Sequence, residues 1–323
     1  MTIGEFELIE KFFATQTKQR NDVALGIGDD AAIVTIPDGQ QLVITTDTLV
    51  AEVHFSAITS AYDIGYKSIA VNLSDLAAMG ATPSWVTLAL TLPCVRENWL
   101  QEFCQGFFDL AADYQIQLIG GNLSQGPLSI TVEAFGFIPF NQALMRNQAK
   151  AGDLIYITNS LGDAALGLLN LQEKVTLSAS DKKIALAKLN RPEPQIEIGS
   201  KLRGIASAAI DISDGLLADL GHILAKSNVG ALIQLEKIPI GASLLHTLAS
   251  DDALTLALSG GDDYELCFTV PQEKQTALEK ALPKNLYHLT CIGTITSQKG
   301  LDLQYQNGKQ YSGEHYGYQH FQK

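Results

Sequence analysis

Cysteine is scarce in this sequence. The 323-residue chain contains four cysteines, and none of them forms a C-x-x-C pair of the kind that a zinc site or a redox centre needs. Because all four lie among apolar neighbours, we predict reduced thiols in the core and no disulfides. These residues are Cys94, Cys104, Cys267 and Cys291.

Positively charged residues are few in this sequence, and so are long apolar runs. Lysine and arginine number 22 against 35 aspartates and glutamates, which gives a formal net charge of −13 and makes nucleic acid an unexpected partner. No stretch approaches the roughly 20 apolar residues that span a bilayer. The first residues, Met1 to Phe6, lack the basic start and apolar segment of a secretory leader. We therefore expect no membrane partner and a cytoplasmic protein.

Hydrophobic periodicity predicts two domains of mixed α/β type in a chain with 46% hydrophobic residues. The predicted strands are Ala31–Ile36, Leu42–Thr46, Val86–Leu92, Ser129–Phe137, Leu154–Thr158, Ala208–Ile212, Ala231–Leu235, Leu266–Val270 and Leu289–Ile295. The predicted helices are Phe6–Phe13, Ala61–Met79, Trp99–Tyr114, Ala164–Leu171, Ile184–Leu189, Ile196–Leu202, Leu216–Ser227 and Lys274–Leu282.

The seam between the two domains is predicted at Pro139–Gly152, where an apolar strand gives way to a polar stretch. We place the boundary at 147, so that residues 1–147 form an N-terminal domain and residues 148–323 a C-terminal one. The polar and aromatic tail at the end of the chain fits either a closing flap over a substrate or a frayed terminus.

Aspartates concentrate in glycine-bounded turns beside apolar strands, where functional sites are commonly built. Four such segments contain no basic residue: Gly26–Ala31, Thr45–Thr48, Asn72–Gly80 and Asp211–Gly215. If their carboxylates converge, each pair at about 4 Å repels by roughly 4 kcal/mol at an effective dielectric of 20, so a cation is needed. Hard oxygen ligands without a His–Cys cluster favour magnesium or manganese over zinc.

The segment Gly26–Ala31 formally matches the dinucleotide-binding pattern G-x-G-x-x-A. Its glycines, however, are followed by a strand pattern and not by the helix whose N-terminus receives a pyrophosphate. Two carboxylates would also face that anion. The context therefore disfavours a dinucleotide-binding fold, and no G-x-x-x-x-G-K-[ST] loop supports a P-loop enzyme.

The acidic segments have structural alternatives to metal binding. Asn72 and Asp75 share one face of a helical pattern, so Asp75 is either a metal ligand or a cap for a loop amide. Ser213 or Asp214 fits the N-cap of the following helix. Asp211 and Ser213 alternate to the same side of the strand end and would offer two oxygen ligands together. The sequence pattern alone leaves both alternatives open.

Five motifs in this order resemble those of the thiamine-monophosphate kinase family: Gly-Ile-Gly-Asp-Asp, Thr-Thr-Asp-Thr, Asn-Leu-Ser-Asp-Leu-Ala-Ala-Met-Gly-Ala, Asp-Ile-Ser-Asp-Gly-Leu and Ser-Gly-Gly-Asp-Asp-Tyr-Glu-Leu. The resemblance covers nearly the whole chain and implies the two-domain α/β fold (α+β type) of the aminoimidazole-ribonucleotide-synthetase-like superfamily, whose N-terminal strands pair across a homodimer. It further implies ATP as co-substrate and direct phosphoryl transfer to thiamine monophosphate, without a phosphoenzyme.

Site residues follow from the same resemblance, motif by motif. The implied ligands of several Mg²⁺ ions are Asp30, Thr45, Thr46, Asp47, Asp75, Asn122, Asp211 and Asp214. The implied ATP-binding residues are Gly121, Asn122, Arg146 and Ser213. The implied residues for thiamine monophosphate are His54, Asp262 and Tyr318. A monovalent cation is a further candidate cofactor.

Asn122 departs from the family pattern, which has Asp at this position. An amide oxygen can still ligate magnesium but brings no negative charge, so we expect a weaker hold on one ion. The preceding Gly120-Gly121 pair lets a backbone approach a phosphate closely. The alternative is that Asn122 completes a glycine turn, a role that Asn suits. Asp262 also departs, since Glu is frequent at its position in the family.

Two other functions fit the same motifs. Another member of the superfamily, such as a selenophosphate synthetase or a hydrogenase-maturation ATPase, would share the acidic segments, although such proteins typically need terminal cysteines or extra segments that this sequence lacks. A metal-binding regulatory protein without turnover is the alternative from another class. Production of ADP that depends on added thiamine monophosphate distinguishes these functions from the kinase.

Overall fold

The computed structural model describes residues 4–16, 19–309 and 311, and it divides them into two compact units. The first unit comprises the described residues up to Leu76 together with Ala81–Asn141, and the second comprises Ala77–Gly80 and the described residues from Gln142 onward. The division after Asn141 falls within the segment in which we placed the seam. The boundary at 147 stays a prediction. So do ATP binding, magnesium binding and dimerisation as the roles of residues 1–147, and a C-terminal domain with a substrate-closing tail for residues 148–323.

The first unit is built on a four-stranded sheet. Its strands and helices are α1 (Glu5–Ile9), which continues into a π-helical turn at Glu10–Ala14, β1 (Val23–Leu25), β2 (Ile33–Val34), β3 (Gln40–Val50), α2 (Ala61–Ala78), β4 (Thr82–Leu92), α3 (Glu97–Asp113), β5 (Gln117–Gln125) and β6 (Ser129–Pro139). The sheet has the order β3-β6-β4-β5, in which β4 and β5 are parallel and the other neighbours antiparallel. Strands β1 and β2 form a separate antiparallel pair.

Helices α2 and α3 of the first unit pack at very short range through two glycines. A Cβ atom on Gly65 would lie 2.0 Å from the carbonyl oxygen of Phe103, and one on Gly106 would lie 2.0 Å from that of Tyr62. Each helix therefore places a glycine against the backbone of the other. This contact fixes α2, which carries Asn72 and Asp75.

The second unit is built on a six-stranded sheet. Its strands and helices are β7 (Leu154–Thr158), α4 (Asp163–Leu171), α5 (Ala179–Asn190), α6 (Ile196–Lys201), β8 (Ala208–Ile212), α7 (Leu216–Ser227), β9 (Gly230–Gln234), α8 (Ala242–Thr247), α9 (Ser250–Ser259), β10 (Glu265–Val270), α10 (Gln275–Ala281), β11 (Leu289–Thr296) and β12 (Gly300–Gln304). The order is β12-β9-β11-β7-β10-β8, in which β12 and β9 are parallel and the other neighbours antiparallel.

The core of the second unit brings β8, α7 and β10 together. Ile210 and Ile212 of β8 are buried in one cluster with Leu216 and Leu220 of α7. Because β10 runs antiparallel to β8 with Glu265 opposite Ile212, the residues before β10 lie beside the loop that follows β8. This topology places Gly260–Tyr264 next to Ser213–Gly215.

Both units contain helices and a sheet, which confirms the predicted α/β class. Strands β7 and β8 and helix α7 have the predicted bounds. The predicted strand Ala31–Ile36 was too long, because only the two residues of β2 pair there. Strand β5 was missed, because its Gly120-Gly121 pair was interpreted as a possible turn.

The prediction of four core thiols is wrong for two of the cysteines. Cys104 and Cys267 are buried, and burial raises the pKa of the Cys104 thiol to about 12. Cys94 is exposed, because it lies just beyond the end of β4, and Cys291 is half-buried. In the part of the chain that the structure describes, no helix has both the length and the apolar character to cross a membrane.

Replacement of Gly65 by Ala is expected to lower the free energy of unfolding by at least about 1 kcal/mol, because the new methyl group would meet the Phe103 carbonyl and force the two helices apart. Urea unfolding followed by circular dichroism measures this loss. Gly221→Ala in α7 is the matched control, since a Cβ there meets nothing within 4 Å and alanine is the better helix former. A Gly65→Ala protein as stable as this control would contradict the expectation.

Candidate functional site

In the first unit, β3 and α2 bring four polar side chains together, which we call the β3–α2 cluster: Thr45, Asp47, Asn72 and Asp75. Thr45 and Asp47 are two residues apart on β3 and therefore share a face of the strand. The Thr45 hydroxyl donates a hydrogen bond to the Asp75 carboxylate at 2.5 Å. The backbone N–H of Asp47 donates to the side-chain oxygen of Asn72 at 3.1 Å. The structure thus joins two of the predicted acidic segments.

The electrostatics of the β3–α2 cluster favour a cation. Burial raises the pKa of Asp47, the negative charge of Asp75 adds to the rise, and together they bring it to about 7. Asn72 is buried, and its amide N–H donates to the Ser68 carbonyl at 3.1 Å, which leaves its oxygen turned toward Asp47. A positive ion beside Asp47 and Asp75 would stabilise their ionised forms and so offset the effects of burial and of the Asp75 charge on the pKa of Asp47.

The donor set of this cluster fits magnesium. Two carboxylates, a hydroxyl and an amide oxygen are hard ligands, and magnesium is usually held by one or two carboxylates together with water and substrate phosphates. Among the described residues, no group of three or more His, Cys, Asp and Glu side chains could hold a metal ion. Because the cluster has two carboxylates, it is suited to an ion that phosphate oxygens help to ligate.

Three other predicted residues of the first unit lie near β1, β2 and β3. Thr46 is exposed, and strand alternation turns its side chain away from the face of Thr45 and Asp47. Asp30 is exposed in the loop between β1 and β2, where its N–H donates to the Asp29 carboxylate at 2.8 Å. His54 follows β3, and its Nδ1 accepts the N–H of Val50 at 3.0 Å, which places the proton of the neutral ring on Nε2. Their roles stay predictions.

Gly121 and Asn122 lie within β5, an edge strand, and both are exposed. The idea that Asn122 completes a glycine turn is therefore wrong, because Asn122 pairs with Ala89 of β4. A Cβ on Gly121 would lie 1.9 Å from the Leu88 carbonyl oxygen, so strand packing alone requires glycine here. The register shifts just before this pair, and such a bulge redirects the side chains that follow.

In the second unit, the loop Ser213–Gly215 follows β8 and leads into α7; we call it the β8–α7 loop. Asp211, at the end of β8, is buried, and Ser213 and Asp214 are half-buried. Neither of the latter caps α7, since the N-cap residue is Gly215 and makes no side-chain cap. The capping alternative for Ser213 and Asp214 is thus wrong.

Asp219 holds the β8–α7 loop, and the sequence interpretation missed it. One of its carboxylate oxygens accepts the backbone N–H groups of Ser213 and Asp214, each at 3.0 Å. Burial raises the pKa of Asp219 to about 7; the charge of Asp214 also raises it, and the charge of Arg146 lowers it. The guanidinium of Arg146 therefore lies within electrostatic range of this loop. An acidic residue on the apolar face of a helix was the signal available in the sequence.

The predicted substrate residue Asp262 lies beside the β8–α7 loop. Its N–H donates to the Ser213 carbonyl at 2.9 Å, and the N–H of Tyr264 donates to the Ile212 carbonyl at 2.8 Å. Asp262 and Tyr264 have φ angles of 68° and 51°, which non-glycine residues adopt uncommonly. The structure thus joins Ser213 and Asp262 in the second unit, whereas the backbone of Arg146 contacts Ser227 at the other end of α7 and its charge has a small effect on Asp219. Tyr318 lies outside the described residues.

Two further buried acids support this region and were not predicted. Both carboxylate oxygens of Asp263 lie 2.9 Å from the backbone nitrogen of Gly162, which donates to them. Glu265 accepts the Thr158 hydroxyl at 2.6 Å and the Asn159 amide at 2.9 Å. Burial raises the pKa of both acids. The signal in the sequence was the position of these two acids just before and at the start of the otherwise apolar strand β10.

Comparison with known proteins gives consistent matches along the chain. Residues 28–138 match the family model of the AIR synthase related protein N-terminal domain, and residues 150–306 match that of its C-terminal domain. The thiamine-monophosphate kinase of Escherichia coli strain K12 is 48% identical over 323 residues, which cover 99% of each chain. Both findings agree with the motifs from which the fold was predicted.

Solved structures give the same result. The crystal structure of thiamine-monophosphate kinase from Stenotrophomonas maltophilia K279a superimposes with a TM-score of 0.85 at 47% identity, covering 94% of this chain and 97% of that one. AaThiL complexed with AMPPCP and TMP gives a TM-score of 0.77 at 29% identity, covering 99% and 97%. The predicted two-domain fold is confirmed.

The raised pKa of Asp47 predicts how the stability of the metal-free protein depends on pH. Folding raises this pKa from 3.8 to about 7, so the native state holds the proton more tightly than the unfolded chain does. The contribution of Asp47 to the free energy of unfolding therefore decreases as pH rises through that window. Urea unfolding in EDTA should show Asp47→Asn gaining stability relative to wild type between about pH 4 and pH 7.

Asp38→Asn, in the exposed turn before β3, is the control and should follow the wild-type pH dependence. Parallel stability curves for Asp47→Asn and wild type over the whole pH range would contradict the expectation.

Proposed function

The chain belongs to the thiamine-monophosphate kinase family of AIR synthase related proteins, and we propose that it transfers the γ-phosphoryl group of ATP directly to thiamine monophosphate, giving thiamine diphosphate and ADP. Similarity to a thiamine-monophosphate kinase along 99% of the chain supports this reaction. The structural observation that carries the proposal is the Asp47–Asp75 pair, whose oxygen donors suit an ion shared with phosphates.

Magnesium is the cofactor that this donor set fits, and we propose that several ions take part. Bound magnesium would bridge phosphate oxygens and neutralise their charge during transfer. Asp47 and Asp75 would hold an ion beside the phosphates. The other proposed ligands are Asp30, Thr45, Thr46, Asn122, Asp211 and Asp214.

The remaining site residues would position the two substrates. Arg146 has a forked guanidinium that suits phosphate oxygens, and Ser213 offers a half-buried hydroxyl in the β8–α7 loop. Gly121 and Asn122 are the proposed nucleotide contacts on β5. His54, Asp262 and Tyr318 are the proposed contacts of thiamine monophosphate.

In direct transfer, no side chain of the protein forms a covalent bond with the phosphoryl group. An oxygen of the acceptor phosphate attacks the γ-phosphorus as the bond to the bridging oxygen of ADP breaks. A phosphate monoester is largely ionised near neutral pH, since its second pKa is about 6, so no general base has to remove a proton. Positioning and charge neutralisation are the tasks left to the site residues.

We also propose a homodimer and a cytoplasmic location. Strand β3 lies at an edge of the four-stranded sheet, and its Ile44 and Val50 side chains are 54% and 37% exposed. An unpaired edge with apolar side chains is a surface that a second strand covers well. The cytoplasm is the compartment in which ATP is readily available.

The acceptor assay tests the proposed reaction. We expect ADP production to require both magnesium and thiamine monophosphate, with a rate at least about a hundredfold lower for thiamine, because thiamine has a hydroxyl but no phosphate that metal ions can hold in line with ATP. A coupled ADP assay with thiamine monophosphate, thiamine or neither, in magnesium or EDTA, measures this. ATP hydrolysis without dependence on thiamine monophosphate would favour another ATPase of the superfamily, and absence of turnover a regulatory protein.

Asn122→Asp is expected to lower the magnesium concentration for half-maximal activity while the requirement for thiamine monophosphate persists. The added carboxylate on β5 would supply charge that the native amide lacks. Magnesium titrations at fixed ATP measure the difference. Asn98→Asp, which adds the same charge at an exposed position of α3, is the control and should leave the titration unchanged. Superimposable curves for wild type and Asn122→Asp would oppose a metal contact at residue 122.

A further inference from the structure

Asp219 is a carboxylate in an apolar position. It lies in the first turn of α7 and is 3% exposed, on the helix face that also carries the buried Leu216, Leu220 and Ile223. Burial of a carboxylate is costly unless hydrogen bonds compensate it. Asp219 must therefore have partners whose position depends on it.

Those partners are the backbone N–H groups of the β8–α7 loop. A single oxygen of Asp219 accepts from both Ser213 and Asp214, each at 3.0 Å. Backbone N–H groups that precede a helix commonly bind a phosphate group. In this loop the protein's own carboxylate occupies them, so contact with ATP or its cation is left to the side chains of Ser213 and Asp214.

The opposite side of the loop is held by backbone contacts. The carbonyl of Ser213 accepts the N–H of Asp262, and the carbonyl of Ile212 accepts that of Tyr264. The N–H groups of Ser213 and Asp214 are thus held by Asp219, whereas the carbonyls of Ile212 and Ser213 are held by the segment before β10. Asp219 is the side chain of this arrangement that can be changed without altering a proposed substrate contact.

We propose that Asp219 is a positioning residue for ATP binding, which orients the side chains of Ser213 and Asp214 through their backbone N–H groups and makes no contact with ATP itself. The inference rests on the proposed function. Loss of such a supporting contact around a metal site typically costs about 10-fold to 100-fold in metal affinity or activity. The effect should therefore appear in the dependence on ATP and magnesium.

Asp219→Ala and Asp219→Asn test the proposal, with Asp153→Asn as the matched control. Asp153 is also buried in the second unit and accepts the Lys150 N–H at 2.9 Å, but it precedes β7, at the other end of the sheet from the β8–α7 loop. Substitution of Asp153 should lower stability and leave the magnesium and ATP dependences unchanged. The asparagine at 219 keeps an acceptor oxygen and should have a smaller effect than the alanine.

The measurements are urea stability, KM for ATP and the magnesium concentration for half-maximal ADP production, under conditions in which each variant is folded. Asp219→Ala is expected to raise KM for ATP and the magnesium concentration for half-maximal activity by about tenfold or more. The values for Asp219→Asn should lie between those of wild type and Asp219→Ala. Unchanged values in a folded Asp219→Ala protein would overturn the proposal. If that variant does not fold, unchanged values for Asp219→Asn would overturn it.

A separate binding experiment distinguishes this inference from the proposed reaction. Calorimetry with magnesium and AMPPCP measures nucleotide binding without turnover. If wild type binds the analogue but makes no ADP in the presence of thiamine monophosphate, the proposed reaction fails. Weaker binding by the Asp219 variants than by Asp153→Asn would then still support positioning, and equal binding would overturn it.

Discussion

The negative charge that the first unit holds between β3 and α2 is the constraint on which its site depends. Burial and the nearby charge of Asp75 both raise the pKa of Asp47, so the ionised cluster is unfavourable until a cation is present. The fold sustains this arrangement because α2 is fixed against α3 by the paired glycines Gly65 and Gly106. Rigid packing thus supplies the geometry, and binding of an ion with phosphates would remove the electrostatic cost.

The second unit uses buried carboxylates for a different purpose. Asp219 accepts two N–H groups of the β8–α7 loop, and Asp263 accepts the N–H of Gly162. A carboxyl oxygen can accept more than one N–H group, so these acids can hold irregular backbone in place. The two left-handed residues around Asp263 show that this backbone needs such support. The acids of the second unit therefore anchor loops, whereas those of the β3–α2 cluster are the proposed ligands of an ion.

The family was the part that motifs predicted correctly, and the chemistry of the site stays a prediction. Aspartates in glycine-bounded turns indicated a magnesium-assisted reaction, and their order along the chain identified the family. The pairing of Asp75 with Thr45 could not be predicted, because it joins residues 30 positions apart through the packing of a helix on a strand. Asp219 was missed for a related reason: its partners are the backbone N–H groups of Ser213 and Asp214, which only the folded structure brings to it.

The sequence by itself determined the class of fold, the family and the acidic residues available for chemistry, because these follow from periodicity and from residue types at fixed spacing. Tertiary structure alone decided which polar groups meet. Pairing with β4 places Gly121 in a strand and not in a turn, and Asp219 accepts the N–H groups of Ser213 and Asp214 while Gly215 precedes α7 without a side-chain cap. Such outcomes depend on backbone groups of distant segments, whose positions no local pattern specifies.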